Sequence, residues 1–171
     1  VGSHPFYKRA VQFSINNSEY VTAVSKSLKE DTERLFDVEK PINVIPNFID
    51  LSKTNDTGKT IDKYVVASKD QFVITHISNF RPLKRIIDVL KVFEKIRNKL
   101  DAKLIMVGDG PEKPRAKSYC KSHKLDEDVL FLGNSNEVDQ ILSFSDLFLL
   151  PSEQESFGLV ALEAMIHKVP V

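Results

Sequence analysis

From Gln71 onward, short apolar runs alternate with stretches in which apolar residues recur every three or four positions. Phe72-Val73-Ile74-Thr75-His76-Ile77-Ser78 is rich in β-branched residues and predicts a buried strand. After the loop Asn79-Phe80-Arg81-Pro82-Leu83, the apolar residues Ile86, Ile87, Leu90, Phe93, Ile96 and Leu100 share one helical face. Arg85, Glu94, Lys95 and Asn98 fall largely on the other. Residues 103–107 predict a second strand, closed by Gly108-Asp109-Gly110-Pro111. A helix over about 112–123 follows, with Pro114 tolerable because it lies in the first turn. Then come a strand over 129–132 ending at Gly133, a short helix over 138–144, a strand over 147–150, and a last helix over 157–167.

This alternation, with nearly continuous apolar strands, is the pattern of an α/β protein whose parallel sheet is covered by helices on both faces. Ligands of such sheets sit at the carboxyl ends of the strands, which points to the loops 79–85, 108–112, 133–136 and 151–157. The first 50 residues are less regular: 20–25 and 42–46 read as strands, with an amphipathic helix over 27–36 between them. The polar stretch 50–59, with Asn55-Asp56-Thr57-Gly58, marks a linker, taken as 51–70, before a second domain over 71–171. There is no internal repeat and no low-complexity tract.

Charge narrows the partners. Lys and Arg total 24, as do Asp and Glu, so no chain-wide attraction to nucleic acid or to an anionic membrane is expected. No apolar run approaches the ~20 residues that span a bilayer. The single Cys120, in a polar run, predicts an inert thiol and a reducing, cytoplasmic setting. No Cys/His cluster has zinc-site spacing. The chain opens without Met and stops at Val169-Pro170-Val171, which reads as the start of a strand, and so the sequence is read as a fragment.

Three segments carry candidate chemistry. Arg81, Lys84 and Arg85 place three cations at the end of the first sheet strand. Arg offers a planar fork to phosphate oxygens and Lys a compact charge, so together they suit a diphosphate leaving group. Lys84 and Arg85 also fit the solvated first turn of a helix, although cations there oppose the helix dipole. Gly108 and Gly110 allow close approach of backbone, but the spacing lacks the third glycine of a dinucleotide loop, and a plain strand-to-helix turn fits the residues better. In Glu155-Ser156-Phe157-Gly158-Leu159-Val160-Ala161-Leu162-Glu163, Ser156 is a candidate N-cap. The amides of Phe157, Gly158 and Leu159 would form an anion site there. Glu155 and Glu163 would then lie roughly 10–12 Å apart, a span suited to the two ends of a nucleotide-sugar rather than to a close acid–base pair. Glu155 also fits a helix-dipole residue and Glu163 a solvated face, though Leu162, Ala164 and Met165 make the latter less apt. His76, inside an apolar strand, is expected to be a satisfied core histidine rather than a base.

Pro151-Ser152, Glu155-Ser156-Phe157-Gly158 and Glu163-Ala164-Met165 together resemble the E-x7-E region of the GT-B fold glycosyltransferases of family 4. The basic loop, the Gly108 turn and Ser145-Asp146 fall in that family's order. Val21-Thr22-Ala23-Val24-Ser25, Asn47-Phe48-Ile49-Asp50 and His76-Ile77-Ser78-Asn79-Phe80-Arg81 are similar to its members that transfer N-acetylglucosamine from UDP to the hydroxyl of L-malate, in bacillithiol biosynthesis. The resemblance implies two Rossmann-like domains: residues 1–50 the end of the acceptor domain, and 71–171 most of the nucleotide-sugar donor domain. It implies Arg81 and Lys84 on the diphosphate of UDP-GlcNAc, Glu155 on the hexose and Glu163 on the ribose. Gly108, Gly110 and the loop at Phe131 to Gly133 would meet the nucleotide, the latter through backbone groups at uracil. Ser156, Phe157, Gly158 and Leu159 would reach phosphate or sugar. The reaction implied is retaining, with no metal and no cofactor, and the oligomeric state is left open, a homo-oligomer included. A fragment lacking most of the acceptor domain is expected to be inactive alone.

Three departures stand out, the first being that the family's acceptor-domain glycine-rich loop and final helices are not found in these residues. Arg81 and Lys84 are three apart where many relatives have five, and Lys168 stands where the family usually has glycine. A family 4 enzyme with another sugar or acceptor remains an alternative. So, in a different class, does a non-catalytic nucleotide-binding module, but neither Asp109 nor Asp146 sits as a phosphorylatable strand-end aspartate.

Overall fold

The computed structural model describes residues 5–49 and 63–171, which fall into two compact units. The first holds α1 (Pro5–Asn16), β1 (Val21–Ala23), α2 (Lys26–Leu35) and β2 (Ile42–Val44). β1 and β2 pair in parallel, with Val21 opposite Ile42. Ser25 caps α2 by accepting a hydrogen bond from the Leu28 amide at 3.1 Å. The sequence pattern did not predict α1. Phe6 and Phe13 are exposed on it, so it lacks the one-sided burial that makes a helical period readable.

The second unit begins with the turn-length helix α3 (Lys63–Val66), which lies inside the stretch taken as linker. The Asn55 to Gly58 signal lies outside the described residues. The sheet follows: β3 (Phe72–Ile77), β4 (Ala102–Val107), β5 (Val129–Gly133) and β6 (Leu147–Phe148), joined through α4 (Ile86–Arg97), α5 (Lys113–Ser122) and α6 (Val138–Ser143). All pairings are parallel and the order is β5-β4-β3-β6.

The strands alternate their burial between two faces, as a two-sided sheet requires. Ile74, Leu104 and Met106 pack with Ile86, Leu90 and Phe93 of α4 and with Ala116 and Cys120 of α5. Val73, Ile105 and Val107 pack with Ala67 and with Ile141 of α6. Cys120 is buried, and burial pushes its thiol up to about 11, so it stays protonated near pH 7.

The last helix, α7, runs Leu159–Ile166 and starts two residues later than its apolar pattern predicted. Gly158 has φ of 78°, a left-handed conformation that cannot continue into a right-handed helix. At its other end, Val169 N–H donates to Ala164 (3.0 Å) and Lys168 N–H to Met165 (2.9 Å). Lys168 itself sits at φ of 61°. This is the left-handed Schellman stop that glycine usually makes, built here with lysine and closed by the contact of Val169 with Ala164. The left-handed region costs a non-glycine residue about 1–2 kcal/mol, and glycine's freer unfolded chain returns about half of that. Lys168→Gly should therefore stabilise the protein by about 0.5–1 kcal/mol and raise its Tm by about 2–3 °C in a calorimetric scan. An unchanged or lower Tm would mean that the lysine side chain contributes more than its backbone costs.

Candidate functional site

The strand order reverses between β3 and β6, so the loops that follow these two strands diverge and leave a crevice at their carboxyl ends. The loop after β3 is short because it closes on itself. Pro82–Lys84 form one turn of 3-10 helix, with Lys84 N–H on the Arg81 carbonyl at 2.9 Å. Arg85 then takes φ of 56° and opens α4. Its guanidinium is turned onto Asp88 at 2.5 Å, so the third cation of the basic loop is already neutralised on the helix.

Lys84 behaves differently. Its ammonium pairs with the Glu155 carboxylate from the loop after β6, both side chains being largely shielded from water. The backbone follows the same path, Glu153 N–H donating to the Leu83 carbonyl at 2.9 Å. Arg81, three residues before Lys84, is exposed, and its guanidinium has no hydrogen-bond or ion-pair partner among the described residues. Two residues separated by 71 positions in the chain are thus brought together, with an uncommitted guanidinium close by in sequence.

Beneath the pair lies His76, wholly buried. Its Nδ1 is 2.8 Å from the Leu149 carbonyl and its Nε2 2.8 Å from Ser78 Oγ. Burial, the largest effect, and Lys84 hold its pKa down to about 4, against the opposing pull of the Leu149 carbonyl and Glu155. The ring is neutral near pH 7 and fully hydrogen-bonded, as expected for a core histidine.

Gly108 (φ 120°) and Gly110 (φ 155°) allow the close backbone approach expected of them, and what approaches is the chain just after β3. A Cβ on Gly108 would stand 1.8 Å from the Ser78 carbonyl oxygen, and one on Gly110 2.2 Å from that of Asn79. The space is filled by the loop after β3, so the two loops are braced backbone to backbone. Gly108 N–H also donates to Gly133 at 2.7 Å. Gly133 (φ 73°) ends β5 after an irregularity that leaves Leu132 without a partner on β4. Phe131 is half-buried, edge-on to Phe80 with centroids 6.4 Å apart, and the Lys117 ammonium lies 5.9 Å from its ring centroid.

Between these strand ends lies a hollow of about 250 Å³ lined by Ser78, Asn79, Gly108, Asn134, Ser135 and Val138, among others. Asn134 and Ser135 were not singled out from the sequence, although their loop was. Neutral polar residues in a loop carry no signal of their own.

Ser156, Phe157 and Gly158 form the turn between Glu155 and α7, so Ser156 is not the N-cap that the pattern predicted; the helix opens at Leu159. Glu163 lies on α7, half-buried, and its carboxylate has no hydrogen-bond donor among the described residues. Burial raises its pKa, and Asp139 adds to this while His167 opposes it. His167 is itself 3.2 Å from Asp139. Among the described residues no group of three or more His, Cys, Asp or Glu could hold a metal ion. No helix there is long and apolar enough to cross a membrane.

A parallel sheet of this order, with cationic and glycine-bearing loops gathered at its carboxyl edge, has the form of a nucleotide-binding half of a GT-B transferase. The model of the family described as Glycosyl transferases group 1 matches residues 59–171, and that of Glycosyltransferase Family 4 matches residues 2–53. The chain belongs to the glycosyl transferases of group 1. It is 43% identical over 172 residues to the N-acetyl-alpha-D-glucosaminyl L-malate synthase of Bacillus anthracis, covering 99% of this chain and 45% of that protein. Among solved structures, TarM of S. aureus, in complex with UDP among other ligands, matches with TM-score 0.77 and 24% identity, over 97% of this chain and 32% of that one. HepE of Anabaena, in complex with UDP and glucose, matches with TM-score 0.80 and 21% identity, over 96% and 46%. These two likenesses carry the fold. The chain spans about 45% of the length of the first curated relative.

Proposed function

We propose that this chain provides the donor-binding part of a retaining, metal-independent transferase that moves N-acetylglucosamine from UDP-GlcNAc to the hydroxyl of L-malate, the first step of bacillithiol synthesis in the cytoplasm. The observation that carries this reading is the Lys84–Glu155 pair at the reversal of strand order, with Arg81, three residues before Lys84, lacking a partner among the described residues. The 43% identity to the malate enzyme supports the choice of substrates.

Residues 71–171 form most of the donor domain in this reading, and 1–50 the end of the acceptor domain. Arg81 supplies a planar fork and Lys84 a point charge to the diphosphate, and together they stabilise the charge that grows on it as it leaves. The bond from the anomeric carbon to the phosphate oxygen breaks. The bond to the malate oxygen forms on the same face of the sugar, and the hydroxyl proton passes to the departing phosphate oxygen. Glu155 lies beside Lys84, where it can accept hydrogen bonds from hexose hydroxyls. Glu163, a half-buried carboxylate without a donor among the described residues, accepts those of the ribose. Gly108, Gly110, Gly133 and the backbone at Phe131 border the nucleoside, with Asn134 and Ser135 lining its hollow. The amides of Ser156 to Leu159 complete the anion contacts.

Thermal unfolding of the chain with UDP, and with AMP as control, tests the reading. At 100 times its Kd a ligand adds about 2.7 kcal/mol, a rise of about 5–10 °C at this size. A rise with UDP and none with AMP is expected, and Glu163→Gln should reduce it. Absence of any rise with UDP in the folded chain would overturn the donor assignment. Where UDP-GlcNAc binds but the full-length enzyme transfers to an acceptor other than L-malate, the family 4 alternative takes its place.

A further inference from the structure

A single imidazole touches both loops that flank the crevice. A carbonyl oxygen can only accept, so His76 Nδ1 carries the proton and donates to Leu149, on the chain leading from β6 to Glu155. Nε2 is then bare and accepts from the Ser78 hydroxyl, which in turn accepts from the Phe80 amide at 3.4 Å. Phe80 is held at φ of 33°, a left-handed conformation that is costly for an aromatic residue. It persists because the Phe80 ring is fully buried and stacked on His76, with centroids 6.2 Å apart. The next residue is Arg81. The direction in which the chain leaves β3 toward Arg81 and Lys84 is therefore set by a strained residue that His76 supports from below.

We propose that His76 is a positioning residue for the donor site, fixing the turn that carries Arg81 and Lys84 against the loop that carries Glu155. The inference rests on the UDP-sugar reading above. His76 does not line the hollow and reaches the donor only through its two hydrogen bonds. The charged groups that act on the ring are Lys84, from the turn after β3, and Glu155, from the loop after β6. Its register partner on β4, Met106, and the stacked Phe80 are uncharged. The Nε2 lone pair thus stays available to Ser78 near neutral pH.

Two substitutions separate the arms. In His76→Asn the amide nitrogen takes the place of Nδ1, so the bond to Leu149 is kept while Ser78 is out of reach. In His76→Gln the longer side chain reaches Ser78 and gives up Leu149. Calorimetric titration of the chain with uridine, UDP and UDP-GlcNAc reads the result. The Asn variant should bind UDP about tenfold more weakly with uridine affinity unchanged, since the displaced cations serve the phosphates. The Gln variant should keep its UDP affinity and bind UDP-GlcNAc about tenfold more weakly, because the displaced loop carries Glu155. If the Asn variant does not fold, Ser78→Ala must lower the UDP-to-uridine ratio in its place, and Ser78→Thr must restore it. Ratios equal to the parent's, or equal weakening of all three ligands, overturn the positioning role. A parent chain that binds neither UDP nor UDP-GlcNAc overturns the donor reading along with it.

Discussion

Gly108→Ala should lose about 3–5 kcal/mol of stability, a fall in Tm of about 10 °C. Its new methyl group would stand 1.8 Å from the Ser78 carbonyl oxygen, and the residue would be held at φ of 120°, where side chains are strained whatever the space. Neither loop can yield without loss: the Ser78 amide is bonded to Val107 at 3.1 Å, and the Glu112 amide to the Phe80 carbonyl at 2.9 Å. Gly133→Ala is the control. It carries left-handed strain at φ of 73°, but its methyl group would meet only the Lys113 ammonium at 4.0 Å, so about 1–2 kcal/mol is expected. Urea denaturation compares the two. Equal losses would show that backbone conformation, not the packing of the two loops, makes Gly108 indispensable.

Lys84→Ala should weaken UDP binding by about 10–100-fold, because hydrogen bonds to charged groups contribute about 1.5–3 kcal/mol and each 1.4 kcal/mol is a factor of ten. The substitution acts twice. It removes the compact cation from the diphosphate, and it leaves the Glu155 carboxylate uncompensated beside an anionic ligand. The double variant Lys84→Ala/Glu155→Ala should therefore bind UDP better than Lys84→Ala alone, a coupling that two independent contacts would not give. Arg81→Ala, which breaks no pair among the described residues, should weaken UDP binding by about tenfold and leave Tm unchanged. Unaltered affinity in Lys84→Ala, or a double variant no better than the single, would remove Lys84 from the diphosphate site.

The sheet was legible because its strands are buried on both faces and so are nearly continuous apolar runs. β3, β4 and β5 fall within a residue or two of the segments their composition marks. β6 spans only two residues, although the Leu149 amide still bonds to the Thr75 carbonyl of β3 at 2.9 Å. α1 and the start of α7 were not legible: the former shows large apolar groups to water, and the latter waits on a left-handed glycine that a hydrophobic period does not register. The loops of the candidate site were picked out by the rule that ligands meet parallel sheets at the carboxyl ends of their strands. Which side chains meet there was not legible. That Lys84 faces Glu155 while Arg85 turns away to Asp88 is decided by the left-handed turn at Arg85, a backbone choice that lysine and arginine do not advertise.

The bracing of the turn at Gly108 and Gly110 against the carbonyls of Ser78 and Asn79 has a bearing on engineering. Main-chain atoms of each loop occupy the space that a side chain on the other would need. A graft that replaces one of these segments must carry the other with it, and a library that varies one alone will return mostly misfolded protein.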